Sequence, residues 1–142
     1  LSRAEDIFCQ TRALEAAALA RFKAEGGRVC VVSHSVRANI LRDYRENGLP
    51  EPDLVFGWDV PSEHRKPFPW PLEEIMRQFS LPSEALLMVD DLKPGKDMAD
   101  ACGVDFAAAG WSYSIPEIAD YMRAHAPHYC ASVAELEGLL FG

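Results

Sequence analysis

Three short stretches carry side chains whose combination suits a phosphate group. Ser33 closes Val31-Val32 and is followed by His34 and Ser35, Lys66 stands in Lys66-Pro67-Phe68-Pro69, and Asp90-Asp91 closes Leu86-Leu87-Met88-Val89. Each lies at the end of an apolar run of strand character or in the loop after one. In a parallel sheet the C-terminal strand ends share one edge, and the loops there are where α/β folds place their sites. A hydroxyl, an ammonium and two carboxylates would therefore converge, which is a set suited to phosphate and metal. Two adjacent carboxylates at the mouth of a buried strand repel one another, and a cation relieves that repulsion. His34 and His64 stand near enough to touch a substrate, although a loop histidine more often has no chemical part.

The apolar pattern supplies the elements that would position these groups. Ser2 and Glu5 form a capping-box pattern, and Ile7, Thr11, Leu14, Ala18 and Phe22 then recur at helical spacing, so the first 26 residues read as one amphipathic helix ended by Gly26-Gly27. Residues 28–33 read as a strand buried on both faces. A helix over 37–46, a strand over 54–56, an irregular proline-rich loop over 61–71 and a helix over 72–79 follow. A second buried strand occupies 86–90, then come a helix over 96–102 and a strand over 104–108. Two more capping boxes, Ser114 with Glu117 and Ser132 with Glu135, announce the last helices. Strands alternating with helices predict an α/β fold, a three-layer sandwich with a mainly parallel sheet. The length of 142 residues suits one domain, with 1–26 as a lead-in helix and 27–142 as the core.

Charge and composition narrow the partners. With 22 acidic against 14 basic residues the formal charge is −8, which repels phosphate backbones and anionic membranes, so no nucleic acid and no membrane partner is expected. No apolar run approaches a bilayer-spanning length and no signal-peptide pattern opens the chain, so a soluble, cytoplasmic protein is expected. Cys9, Cys30, Cys102 and Cys130 are scattered without ligand or framework spacing and read as buried thiols. Lys93-Pro94-Gly95-Lys96 lacks the order of a P-loop, and no Gly-x-Gly-x-x-Gly follows a strand. A response-regulator receiver would place its acidic pair before its lysine, the reverse of the order here. For Trp58, Trp70 and Trp111 packing is the plainer reading, a pocket lining the sharper one. The chain opens on Leu1 instead of methionine, so sequence upstream of it is expected.

The order and spacing of Ser33, Lys66 and Asp90-Asp91 resemble the second, third and fourth motifs of the haloacid dehalogenase (HAD) superfamily. Lys-Pro-x-Pro and an acidic pair after a hydrophobic strand are similar to its phosphoglycolate-phosphatase and β-phosphoglucomutase-like branch, and Gly103-Val104, Gly110-Trp111-Ser112 and Ala134-Glu135-Leu136-Glu137 extend the likeness over about 27–140. The resemblance implies a Rossmann-like core and a Mg2+-dependent phosphohydrolase acting on a small phosphorylated metabolite. In it Ser33 would donate to a phosphoryl oxygen, with His34 at the substrate, and Lys66 would neutralise charge on the transferring group. Asp90 and Asp91 would hold the metal, with either as the direct ligand and Asp91 favoured by the family's usual pattern; Asp97 has at most a supporting part.

The family's chemistry starts from a strand ending in Asp-x-Asp, and no Asp-x-Asp occurs in these 142 residues. Asp6 lies in the opening helix, with no strand before it. The resemblance thus implies a core truncated at the N-terminus, without its nucleophile and without the central strand between those ending at Ser33 and Asp90, and inactive as it stands. Most of the family's cap would be missing too, its last helix surviving as 2–25. The competing expectation is a non-catalytic binding module that self-associates as a homodimer through exposed sheet edges.

Overall fold

The computed structural model describes residues 3–112 and 115–142, with 3–13 as backbone only. The Ser2–Glu5 capping box, the side chains of Ile7, Cys9 and Thr11, and Ser114 lie outside what it describes. The elements run α1 (Arg3–Ala24), β1 (Cys30–Val32), α2 (Arg37–Glu46), β2 (Leu54–Phe56), α3 (Trp70–Phe79), β3 (Leu87–Asp90), α4 (Lys93–Cys102), β4 (Asp105–Ala109), α5 (Pro116–His125), β5 (His128–Cys130) and α6 (Val133–Phe141).

Two helices start earlier than their sequence suggests, and for one reason. Pro71 stands in the first turn of α3 and Pro94 in that of α4, where the missing N–H has no intrahelical partner to lose and the fixed φ already fits. Both prolines look like breakers from sequence and act as helix starters. At α6 the Ser132 half of the capping box forms, its hydroxyl accepting from Glu135 N at 3.3 Å, while Glu135 Oε2 accepts from the preceding Ala131 N at 2.5 Å instead of from Ser132 N.

Every strand pairing is parallel, as expected, but the described strands form two sheets, β1–β2 and β3–β4–β5. Side chains alternate across β4 and so divide the core. Phe106 and Ala108 face α3, α4 and α5 and meet Leu72, Ile75, Met98, Ala99 and Met122, while Ala107 faces the other way with Cys130 and Leu136 of α6. Helix α1 lies on α6. Three layers result. Phe56 of β2 and Met88 of β3 share the first cluster with α3 residues, so α3 spans the two sheets and holds them together from one side.

Between the sheets lies a cavity of about 980 Å³, walled by Cys30, Val31 and Val32 of β1 and by Leu87 to Asp90 of β3, with Ala18, Leu19 and Phe22 of α1 also on it. The two strand edges that face it are those leading to Ser33 and to Asp90. Val89, midway along β3, lines this cavity and is 37% exposed.

Cys30, Cys102 and Cys130 are free, half-buried or buried thiols, as expected. Burial, with help from the Asp53 charge, pushes Cys30 up to about 11. Among the described residues no helix is long and apolar enough to cross a membrane.

Phe106 is fully buried at the centre of the larger cluster. Phe106→Ala should cost about 3–5 kcal/mol from lost transfer energy and the void left behind, read as a lower midpoint in equilibrium urea unfolding. A cost under about 1 kcal/mol, within the range of ordinary surface changes, would place the core elsewhere.

Candidate active site

The loops after β1 and β2 are fastened to each other. Ser33 N donates to Phe56 O at 3.0 Å, continuing the ladder, and Trp58 N donates to Ser35 O at 2.9 Å. A side chain at Gly57 would stand 2.6 Å from Ser35 O and 2.8 Å from Arg37 N, so only glycine permits the approach. Helix α2 has Val36 at its N-cap with no side-chain cap of its own. Its first amide, Arg37 N, donates instead to Asp59 Oδ1 at 2.6 Å, so a carboxylate from the neighbouring loop does what a local cap would do. Ser33 is therefore not the cap of α2. Its Oγ accepts from Ser35 N at 3.1 Å, within its own loop.

Lys66 reaches from the loop after β2 to the end of β3. Its Nζ donates to Asp90 Oδ2 at 2.8 Å, and only 12% and 10% of the two side chains is exposed. The Lys66-Pro67 peptide is cis. Asp90 Oδ1 accepts from Asp91 N at 2.7 Å, so both oxygens of Asp90 are engaged. A Cβ on Gly95 would overlap the Asp90 carboxyl group, which puts the first turn of α4 directly against it. His34 Nε2 lies 3.3 Å from the Lys66 carbonyl oxygen.

Asp91 is in a different position from Asp90. Burial, then the neighbouring Asp90 carboxylate through a hydrogen bond and through its charge, hold the Asp91 carboxyl above its usual value, with Lys66 only partly opposing them. A carboxylate whose charge is unrelieved is the one a cation would favour. The fold brings Lys66, Asp90, Asp91 and His34 together, and Ser33 lies one residue from His34. Among the described residues no group of three or more His, Cys, Asp and Glu is arranged to hold a metal ion. Two carboxylates still suit Mg2+, which commonly takes one or two from the protein and fills its octahedron with water and phosphate oxygens.

Other candidates lie away from this cluster. Asp97 pairs with Lys93 at 2.8 Å within α4, and Lys96 is held by Asp100 at 2.5 Å, so both lysines of the Lys-Pro-Gly-Lys turn serve their own helix. His64 stacks on Trp70 at 4.0 Å. His128 opens β5 and meets Asp105 Oδ2 at 2.8 Å, at the opposite end of the strands. Asp59 was not among the expected site residues; its only signal was a carboxylate two residues after a glycine at a strand end.

The model of the haloacid dehalogenase-like hydrolase family matches residues 14–109. A search of curated proteins gave no match. Among solved structures, a provisionally named phosphoglycolate phosphatase from Lactobacillus delbrueckii subsp. bulgaricus is 20% identical, with a TM-score of 0.71 over 89% of this chain and 52% of its own. A provisionally named haloacid dehalogenase-like hydrolase from Bacteroides fragilis is 25% identical, with a TM-score of 0.67 over 84% of this chain and 56% of its own. A provisionally named β-phosphoglucomutase from Thermotoga maritima is 17% identical, with a TM-score of 0.69 over 89% and 57%. The chain spans about half the length of these proteins.

Because the Asp91 carboxyl is raised above 3.8, its charged form is disfavoured in the folded state, and the stability held by the neutral form is lost as pH rises through the window between the ordinary and the raised value. Asn imitates the neutral form. In chelator-containing buffer, Asp91→Asn should raise the melting temperature at neutral pH, with the gain shrinking as pH falls toward the ordinary aspartate value. A loss of stability at neutral pH would show that the Asp91 charge is already compensated.

Proposed function

The chain belongs to the haloacid dehalogenase-like hydrolases, and from that premise we propose that it forms the larger part of a Mg2+-dependent phosphomonoester hydrolase core acting on a small phosphorylated metabolite in the cytoplasm. The observation that carries this reading is the nearly dry Lys66–Asp90 pair with Asp91 beside it, an ammonium and two carboxylates at one strand edge.

Each residue then has a task. Lys66, held in place by Asp90, meets the negative charge of the transferring phosphoryl group, where a fixed cation in a water-poor site is worth more than in water. Ser33 donates its hydroxyl hydrogen to a phosphoryl oxygen while its Oγ still accepts from Ser35 N. Asp91, with Asp90 behind it, offers the carboxylate oxygens for Mg2+, which when bound supplies charge neutralisation to the phosphate and the attacking group. His34 stands at the mouth, against the Lys66 carbonyl.

What this set lacks is a nucleophile. The cavity between β1 and β3 supports one source: each strand has one ladder partner among the described residues and both border the cavity, so a further strand between them would satisfy the edge amides and carbonyls of both. Such a strand would end at the edge where Lys66 and Asp90 meet, and a carboxylate there would attack phosphorus, breaking the P–O ester bond so that the alcohol leaves with a proton and water later releases phosphate from the acyl phosphate. The same free edges also favour a second reading, a binding module that pairs with another copy of itself.

Hydrolysis of p-nitrophenyl phosphate with Mg2+ separates the two. The chain alone should show no turnover, and the product of its reading frame extended upstream should turn over and lose about 100-fold or more on Lys66→Ala, the scale for removing a charge-stabilising donor. Turnover by the short chain that Asp91→Asn abolishes would overturn the claim of incompleteness. Inactivity of both, with a dimer in sedimentation, would favour the module.

A further inference from the structure

Exposed large apolar side chains gather at the end of the fold that carries the site: Val36 after β1, Trp58 and Phe68 after β2, Leu92 after β3. Trp58 stands apart because it is held in place and yet 46% exposed. The Arg65 guanidinium lies 3.6 Å from the centre of its ring, and the His34 ring meets it edge-on at 5.4 Å. Arg65 is itself fixed by Nε donating to Val60 O at 3.0 Å, and His34 by its contact with the Lys66 carbonyl.

The other two tryptophans are consumed by the fold. Trp70 packs against Phe56 and His64, and Trp111 donates to Glu15 Oε1 at 2.8 Å. Trp58 is not needed for the core, and its neighbour His34 directly follows Ser33 and touches Lys66. A fixed ring with free surface, whose neighbour His34 follows Ser33 in the chain and contacts the Lys66 backbone, suits a flat partner in offset-stacked or edge-on contact. We infer that Trp58, with Arg65 and His34, forms the subsite for the leaving group of the substrate, and that this group is planar and aromatic. The inference rests on the phosphohydrolase reading and names the substrate class for it.

Calorimetric titration of the chain with phenyl phosphate, ethyl phosphate and inorganic phosphate in Mg2+ buffer tests it. Phenyl phosphate should bind about tenfold tighter than ethyl phosphate, as one favourable aromatic contact allows. Trp58→Ala should bring that ratio to about one, and Trp58→Phe, which keeps a ring, should retain most of it. A ratio of one in the unaltered chain, or a preference that survives Trp58→Ala, overturns the subsite while inorganic phosphate binding leaves the phosphohydrolase reading standing. Binding of none of the three overturns both.

Discussion

The ion pair between Lys66 and Asp90 joins two sheets that share no hydrogen-bond ladder. Its lysine belongs to the loop after β2 and its aspartate to the end of β3, and both side chains are nearly out of water. Removing either partner would strand a buried charge, at a cost of about 3–5 kcal/mol, so the pair constrains everything around it. It requires Gly95, because a side chain there would displace the Asp90 carboxyl. It also uses up Asp90. With one oxygen on Lys66 and the other on the Asp91 amide, Asp90 positions and Asp91 carries the unrelieved charge. That asymmetry gives two adjacent acidic residues different surroundings.

The second constraint is the open space between β1 and β3. Backbone donors and acceptors in a protein interior are nearly all paired, and half of those on an edge strand face away from its only neighbour. Here two such edges border one cavity of about 980 Å³, and α3 together with the Lys66–Asp90 pair holds the edges on either side of it. The chain spans 52–57% of the length of the solved proteins cited for comparison. A strand filling the space would complete the sheet and, on the proposed function, would also bring the missing nucleophile to the Lys66–Asp90 edge.

Much of this was legible in the sequence where local signals agree. Helix α2 and strand β2 have the bounds expected of them, since an apolar run or helical spacing is closed by Asn47-Gly48 or Gly57. Strand β5 was not legible: His128-Tyr129-Cys130 is short, follows a proline and has no apolar run, and it is a strand because β4 pairs with it. Lys66 and Asp90-Asp91 stand out in the sequence by their order at strand ends, and the fold brings them together, but which of the two aspartates Lys66 reaches no spacing encodes. Asp97 follows the acidic pair at a distance that leaves its place open in the sequence, and in the folded chain its carboxylate pairs with Lys93 one turn earlier in α4. The cap of α2 by Asp59 and the Arg65–Trp58 stack join residues from adjoining loops or turns, and only the folded chain shows them.

The most direct measurement is hydrogen–deuterium exchange of the strand amides, compared between this chain and its upstream-extended product. In the chain alone, the cavity-facing amides of β1 and β3 should exchange far faster than those of residues 106–108 in β4, which is paired on both sides. In the longer product they should become as protected as β4. Equal protection of β1, β3 and β4 in the chain alone, or edges that stay unprotected in the longer product, would contradict the account of a strand completing the site.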